Sequence, residues 1–171
     1  MGMDVMGRKP KSEKGEYFRN NVWWWRPLWN YVEFIAPDLV GDVNGQTNDG
    51  DGLNAPESEE LSKRLLVSLE NGACKKYEAE YNEHLSQLPN EPCKWCETTG
   101  IRRDSVGLEN GMPTKELSSE VASMLGRTHG WCNGCDGMGW SPNWETHYPF
   151  SQDNVKEFAE FLAESGGFSI C

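Results

Sequence analysis

The sequence predicts a mainly α protein of about five helices, with a four-cysteine metal module in its C-terminal half. Three observations predict it. Apolar residues recur at helical spacing, as in Leu61, Leu65, Leu66 and Leu69, and again in Val155, Phe158, Phe161 and Leu162. Helix start and stop signals flank these stripes. Two CxxC pairs, Cys93–Cys96 and Cys132–Cys135, enclose 35 residues between them.

Taken in order, residues 1–15 read as an irregular lead-in. The segment 16–36 is rich in aromatic residues and contains Pro27, whose ring removes a helical hydrogen bond. A turn or short helix to about Trp25 is therefore expected. A second helix would follow with Pro27 in its first turn and Leu28, Tyr31, Val32 and Ile35 along one side. Residues 37–55 are rich in Asp, Asn and Gly and predict a loop. Asn54, Pro56 and Glu57 then form a capping-box signature, and Asn71-Gly72 closes that helix. Residues 73–88 predict another helix, with Tyr77, Tyr81, His84, Leu85 and Leu88 on one side. Pro89 and Pro92 mark a boundary. It divides a tryptophan-rich helical region with an acidic loop, 1–90, from the cysteine module, 91–171, the two expected to form one compact unit. The module carries an inserted helix, Thr114 to Leu125, and a final helix from about Ser151 to Glu164, stopped by Gly166-Gly167.

The composition limits the function classes. Only 37% of the 171 residues are hydrophobic, but eight tryptophans and six phenylalanines bury much area each. Net charge is −11, and residues 38–90 hold eleven acids against four bases. This balance suits a basic protein partner and opposes direct nucleic-acid binding, which needs a basic face. The most apolar stretch, Val22 to Ala36, contains Arg26, Pro27, Asn30 and Glu33 and does not read as a membrane span. Residues 1–16 do not read as a signal peptide, so a cytoplasmic location is expected, where CxxC pairs are metallated rather than oxidised.

Four converging thiolates repel one another and need an ion or disulfides. Cys93, Cys96, Cys132 and Cys135 therefore predict one structural Zn2+ in a closed tetrahedral shell. A closed shell argues against a metalloenzyme, which keeps an open position. His129 is an alternative ligand that the four cysteines make unnecessary. Such sites contribute roughly 10–16 kcal/mol of binding free energy in small peptides. Cys132-Asn-Gly-Cys-Asp-Gly-Met-Gly139 matches the CxxCxGxG unit fully, and residues 93–100 match it except for one glycine. At these residues the chain resembles the zinc module of DnaJ-type chaperones. An alternative reading is a DnaJ-like zinc module that binds unfolded protein, or nucleic acid through Lys94, Arg102, Arg103 and Arg127, although chaperone function itself is not carried over. No His-Pro-Asp tripeptide marks a J domain.

Two further segments are candidate partner surfaces. Trp23, Trp24, Trp25 and Trp29 cannot all face one way on a helix. Most of them are expected in the core, and Trp24 and Trp25 are candidates for a partner-binding patch. Residues 38–60 hold seven acids and no bases. Asp42, Asp49, Asp51, Glu57, Glu59 and Glu60 are the candidate acidic contacts. The order of the acids there lacks the EF-hand pattern, so calcium is not expected. The chain from Gly15 through Trp29 to His147-Tyr-Pro-Phe150 and Phe168-Ser-Ile-Cys171 also resembles small proteins of phages and their bacterial hosts. Among small acidic phage metalloproteins it is similar to zinc-containing anti-CRISPR inhibitors. That similarity implies a non-enzymatic protein that binds a CRISPR effector nuclease in the host cytoplasm and blocks DNA loading.

Overall fold

A computed structural model describes residues 2–112, 116–126 and 131–171. In chain order they form β1 (Gly2–Gly7), β2 (Tyr17–Asn21), α1 (Val22–Ile35), α2 (Pro37–Val40), α3 (Ala55–Glu70) and α4 (Ala73–Gln87). After these come β3 (Glu91–Pro92), α5 (Ser105–Glu109), α6 (Ser119–Leu125), β4 (Trp140–Ser141), α7 (Gln152–Ser165) and β5 (Phe168–Ile170). The fold is mainly α, as the sequence predicts. The chain divides into two units: residues 1–86 with 147–171, called the host unit below, and residues 87–146, the inserted unit. The last helix, expected with the cysteine module, belongs to the host unit because it packs on α3.

The expected irregular lead-in is instead the middle of a sheet. β1 pairs antiparallel with β2 on one side and with β5 on the other, Val5 lying opposite both Phe18 and Ile170. Met3 and Val5 face the core while Asp4 and Met6 face outward, the period of two that a half-buried strand requires. The Asp/Asn/Gly loop covers the outer edge of β5. Gly50 N–H donates to the Ile170 carbonyl, and Phe168 N–H donates to the Leu53 carbonyl. Gly52 makes this approach possible, since a Cβ there would stand 2.0 Å from the Phe168 carbonyl oxygen.

The expected break at Pro27 does not occur, and α1 runs through it. Asn21 caps the helix by accepting from the Trp23 and Trp24 N–H groups at 3.0 and 3.1 Å. An internal proline costs about 3 kcal/mol. The helix offsets this by burying Trp25, Leu28, Trp29, Tyr31 and Val32, each contributing roughly 1.5–3 kcal/mol if fully buried. Trp25 and Trp29, one turn apart, stack at 5.5 Å and meet Phe18, Phe158 and Phe168. Trp25 Nε1 donates to the Gly45 carbonyl at 2.6 Å, which satisfies its one buried donor. Tyr31, Tyr77, Tyr81 and Phe150 form a second aromatic group.

Small residues bring α3 against α7. Ser58 and Ser62 are buried, and their hydroxyls donate to the Leu162 and Ala159 carbonyls at 3.0 and 2.7 Å. The capping box at Asn54 and Glu57 is present in both directions. Gly166, at φ +61°, ends α7 in a left-handed cap. The inserted helix begins at Ser119 rather than Thr114, capped by the Ser118 hydroxyl; Thr114 itself lies outside the described residues.

Candidate metal centre

The four cysteines sit on two turns that repeat the same hydrogen bonds at the same offsets. The first cysteine of each CxxC accepts an N–H two residues on: Trp95 for Cys93, Gly134 for Cys132. The second accepts one four residues on: Gly100 for Cys96, Gly139 for Cys135. The turns also cross-bond. Cys93 N–H donates to the Gly139 carbonyl at 2.9 Å, and Cys132 N–H donates to the Gly100 carbonyl at 2.7 Å. The β3–β4 pair extends one of these crossings.

Left-handed backbone recurs with the same spacing: Glu97, Thr98 and Gly100 in one turn, Asp136, Gly137 and Gly139 in the other. The missing glycine of the first CxxCxGxG unit is thus Thr98, held at φ +71°. Gly134 is required by contact, because a Cβ there would lie 2.3 Å from the Trp95 ring.

All four sulfurs lie within 4.8 Å of one another. Cys93 and Cys132 approach to 3.8 Å, and Cys96 and Cys135 to 3.7 Å. A tetrahedral ion with metal–sulfur bonds of about 2.3 Å has sulfur–sulfur edges of about 3.8 Å, whereas a disulfide needs about 2.05 Å. The spacing fits one metal ion. Cys93, Cys96 and Cys132 are buried and Cys135 is half-buried. Burial opposes ionisation of Cys93, but the Trp95 N–H and the thiols of Cys135 and Cys96 stabilise its thiolate and bring its pKa down to about 7. Burial pushes Cys96 up to about 12 and also raises Cys132. Burial thus disfavours the thiolates of Cys96 and Cys132. A bound cation would offset that cost.

Arg102 supports the site from outside the sulfur shell. Its guanidinium is buried, pairs with both Asp104 oxygens at 2.7 and 2.8 Å, and donates to Asn133 at 2.9 Å. It also lies 4.6 Å above the Trp95 ring, and its charge acts on Cys132 and Cys93. This commitment removes it from the expected nucleic-acid group. Lys94 covers Trp95 at 4.8 Å, Arg103 is exposed, and Arg127 and His129 lie outside the described residues.

The acidic candidates are scattered among structural duties. Glu57 caps α3, Glu59 pairs with Lys11, Glu60 pairs with Arg64, and Asp51 accepts the Asn44 N–H. Asp42 and Asp49 are exposed and have no partner among the described residues. Trp25 is corrected as a partner contact, since it is fully buried in the core. Trp24 is half-buried, with its carbonyl bonded to Asn154. The exposed ring is Trp23, at 45%. The signal for this was available: at 100° per residue, Trp25 and Trp29 share a face and Trp23 stands about 200° from Trp25.

Together, fold and site define a mainly α protein with a paired-knuckle cluster of four cysteines placed to hold a metal ion. No family model matches the chain, and no curated protein or solved structure matches it either. No described helix is long and apolar enough to cross a membrane.

Proposed function

We propose that this chain is a non-enzymatic interaction protein whose metal is a single structural Zn2+. The observation that carries this reading is the sulfur geometry: four thiolates at tetrahedral spacing leave no coordination position for water or substrate. The metal then acts as a scaffold, and function falls to the surfaces. X-ray absorption of purified protein is expected to show four sulfur ligands at about 2.3 Å. An oxygen in the shell would sink the structural assignment and reopen a catalytic one.

The partner proposed is a basic protein. The host unit holds nineteen acids against eleven bases, so its field attracts cationic surfaces. The acidity is spread over the unit rather than gathered in residues 38–60. The most concrete form of this reading is a phage inhibitor that occupies the basic DNA channel of a CRISPR effector nuclease in the bacterial cytoplasm. It rests on size, charge and the metal module. A guide-loaded effector challenged with target plasmid tests it. Added protein should reduce cleavage, and reversal at Asp42 and Asp49, which have no partner among the described residues, should weaken that effect. Undiminished cleavage at excess protein across effectors, with no complex on gel filtration, would remove this form.

A second reading is favoured by one observation. The inserted unit exposes Trp95, Leu108, Met124, Met138, Trp140 and Trp144, and exposed aromatic and methionine side chains suit adaptable apolar contacts. The inserted unit would then hold unfolded polypeptide, as the DnaJ-like form implies. Suppressed aggregation of a chemically denatured client would support it, and unchanged light scattering would count against it.

A further inference from the structure

The host unit contains a pocket at the start of α1 that the metal centre does not use. It has a volume of about 450 Å³ and is lined by Asn21, Trp23, Trp24, His147 and Pro149. That volume falls within the roughly 300–1,000 Å³ of small-molecule sites. None of these lining residues is acidic, although the unit as a whole is.

The pocket offers an exposed indole, Trp23, and Arg26 stands beside it on the same helix, outside the lining residues. Trp23 is 45% exposed and has no hydrogen-bond partner for its indole N–H among the described residues. Its ring meets the His147 ring at 6.0 Å and the Tyr148 ring at 4.8 Å. Arg26, one helical turn beyond Trp23 and therefore on the same face, lies 5.8 Å over the Tyr148 ring, with its Nη1 3.4 Å from the Tyr148 hydroxyl. By contrast, Arg19, Arg64 and Arg102 are each paired with a carboxylate. Arg26 has no carboxylate partner among the described residues. It is exposed and positioned by the Tyr148 ring and hydroxyl, and a guanidinium has further donors beyond that one bond to offer an anion.

We propose that this pocket binds a free nucleoside 5′-phosphate, its base stacked on Trp23 and its phosphate held by Arg26. Base stacking on an exposed indole is tolerant of base identity. A guanidinium fork supplies the phosphate contacts. The free nucleotide is favoured over a strand because the host unit carries a net charge of −8, from nineteen acids and eleven bases, which repels a polyanion. This binding is separate from the interaction function proposed above, and neither depends on the other.

The test uses the full-length, metal-loaded chain. Calorimetry is run with AMP, GMP, CMP and UMP, then with adenosine and ribose 5-phosphate as half-ligands, and with a 5′-phosphorylated twelve-nucleotide DNA strand. Saturable binding of the mononucleotides is expected, with both half-ligands weaker. Trp23→Ala and Arg26→Ala should each weaken binding about ten- to a hundred-fold. Arg26→Lys should recover part of the loss. Both sites are exposed, and an unchanged circular dichroism spectrum checks that the variants fold. The proposal is overturned by absence of mononucleotide binding at millimolar concentration, by variants that bind like the parent chain, by adenosine binding as tightly as AMP, or by a DNA strand that binds more tightly than the mononucleotides.

Discussion

Thr98 stands where the second knuckle has Gly137, and the two share a left-handed backbone. A β-branched residue costs about 1–2 kcal/mol there, and glycine's larger loss of chain entropy on folding offsets part of that relief. Thr98→Gly should therefore strengthen the centre by about 1 kcal/mol, read as a higher melting midpoint of the metal-loaded inserted unit. Gly139→Ala should do the opposite. Its Cβ would stand 2.3 Å from the Thr98 carbonyl oxygen, at φ +80°, and the strained backbone should cost about 2–4 kcal/mol. Retention of bound metal against a chelator would show the loss. At this scale the metal ligands were legible because thiol spacing is a local property. Trp23 was legible only by assigning the helix first. The platform it makes with His147 and Tyr148 joins residues more than 120 positions apart, which no local pattern reveals.

Among the elements, α3 and α7 were readable because their caps and apolar stripes agree with their environment, and α4 through its Tyr77 and Tyr81 stripe. The capping box of α3 gives a direct measurement. Asn54→Ala should lower stability of the host unit by about 1 kcal/mol in urea unfolding, with an unchanged slope. The sheet was not readable for a physical reason. β1 has only Met3 and Val5 as inward residues, it lies among glycines and lysines, and one partner, β5, is near the far end of the sequence. Its stability comes from pairing and burial rather than propensity. Pro27 misled for a related reason, since local cost was weighed without the tertiary burial of Trp25 and Trp29 that outweighs it.

For the whole molecule, the two units should respond differently to metal removal. Buried apolar side chains in the host unit form one large cluster, whereas the only cluster found among the described residues of the inserted unit is the cysteines themselves. Chelation should therefore release amide protection across residues 87–146 while α3 and α7 stay protected, as hydrogen exchange would show. Loss of protection in both units together would contradict this. Acid should act on the host unit through its ion pairs. Arg64, Lys11 and Lys14 hold Asp38, Glu59 and Glu160 below the usual carboxylate range. Depressed carboxylates stabilise above their unfolded pKa, and that stability is lost as pH falls through the folded values. The urea midpoint should hold above about pH 5 and decline below about pH 4, less steeply in an Asp38→Asn, Glu59→Gln variant.

The placement of β1 between β2 and β5 also bears on how the protein is made. β1 cannot complete its sheet until the residues near 170 have left the ribosome, on the order of ten seconds after β1 itself at ordinary translation rates. The knuckles are complete by residue 139. An ion bound by the four cysteines would therefore be captured while the host sheet still lacks an edge, which would make metal supply and sheet closure successive events in the life of a single nascent chain.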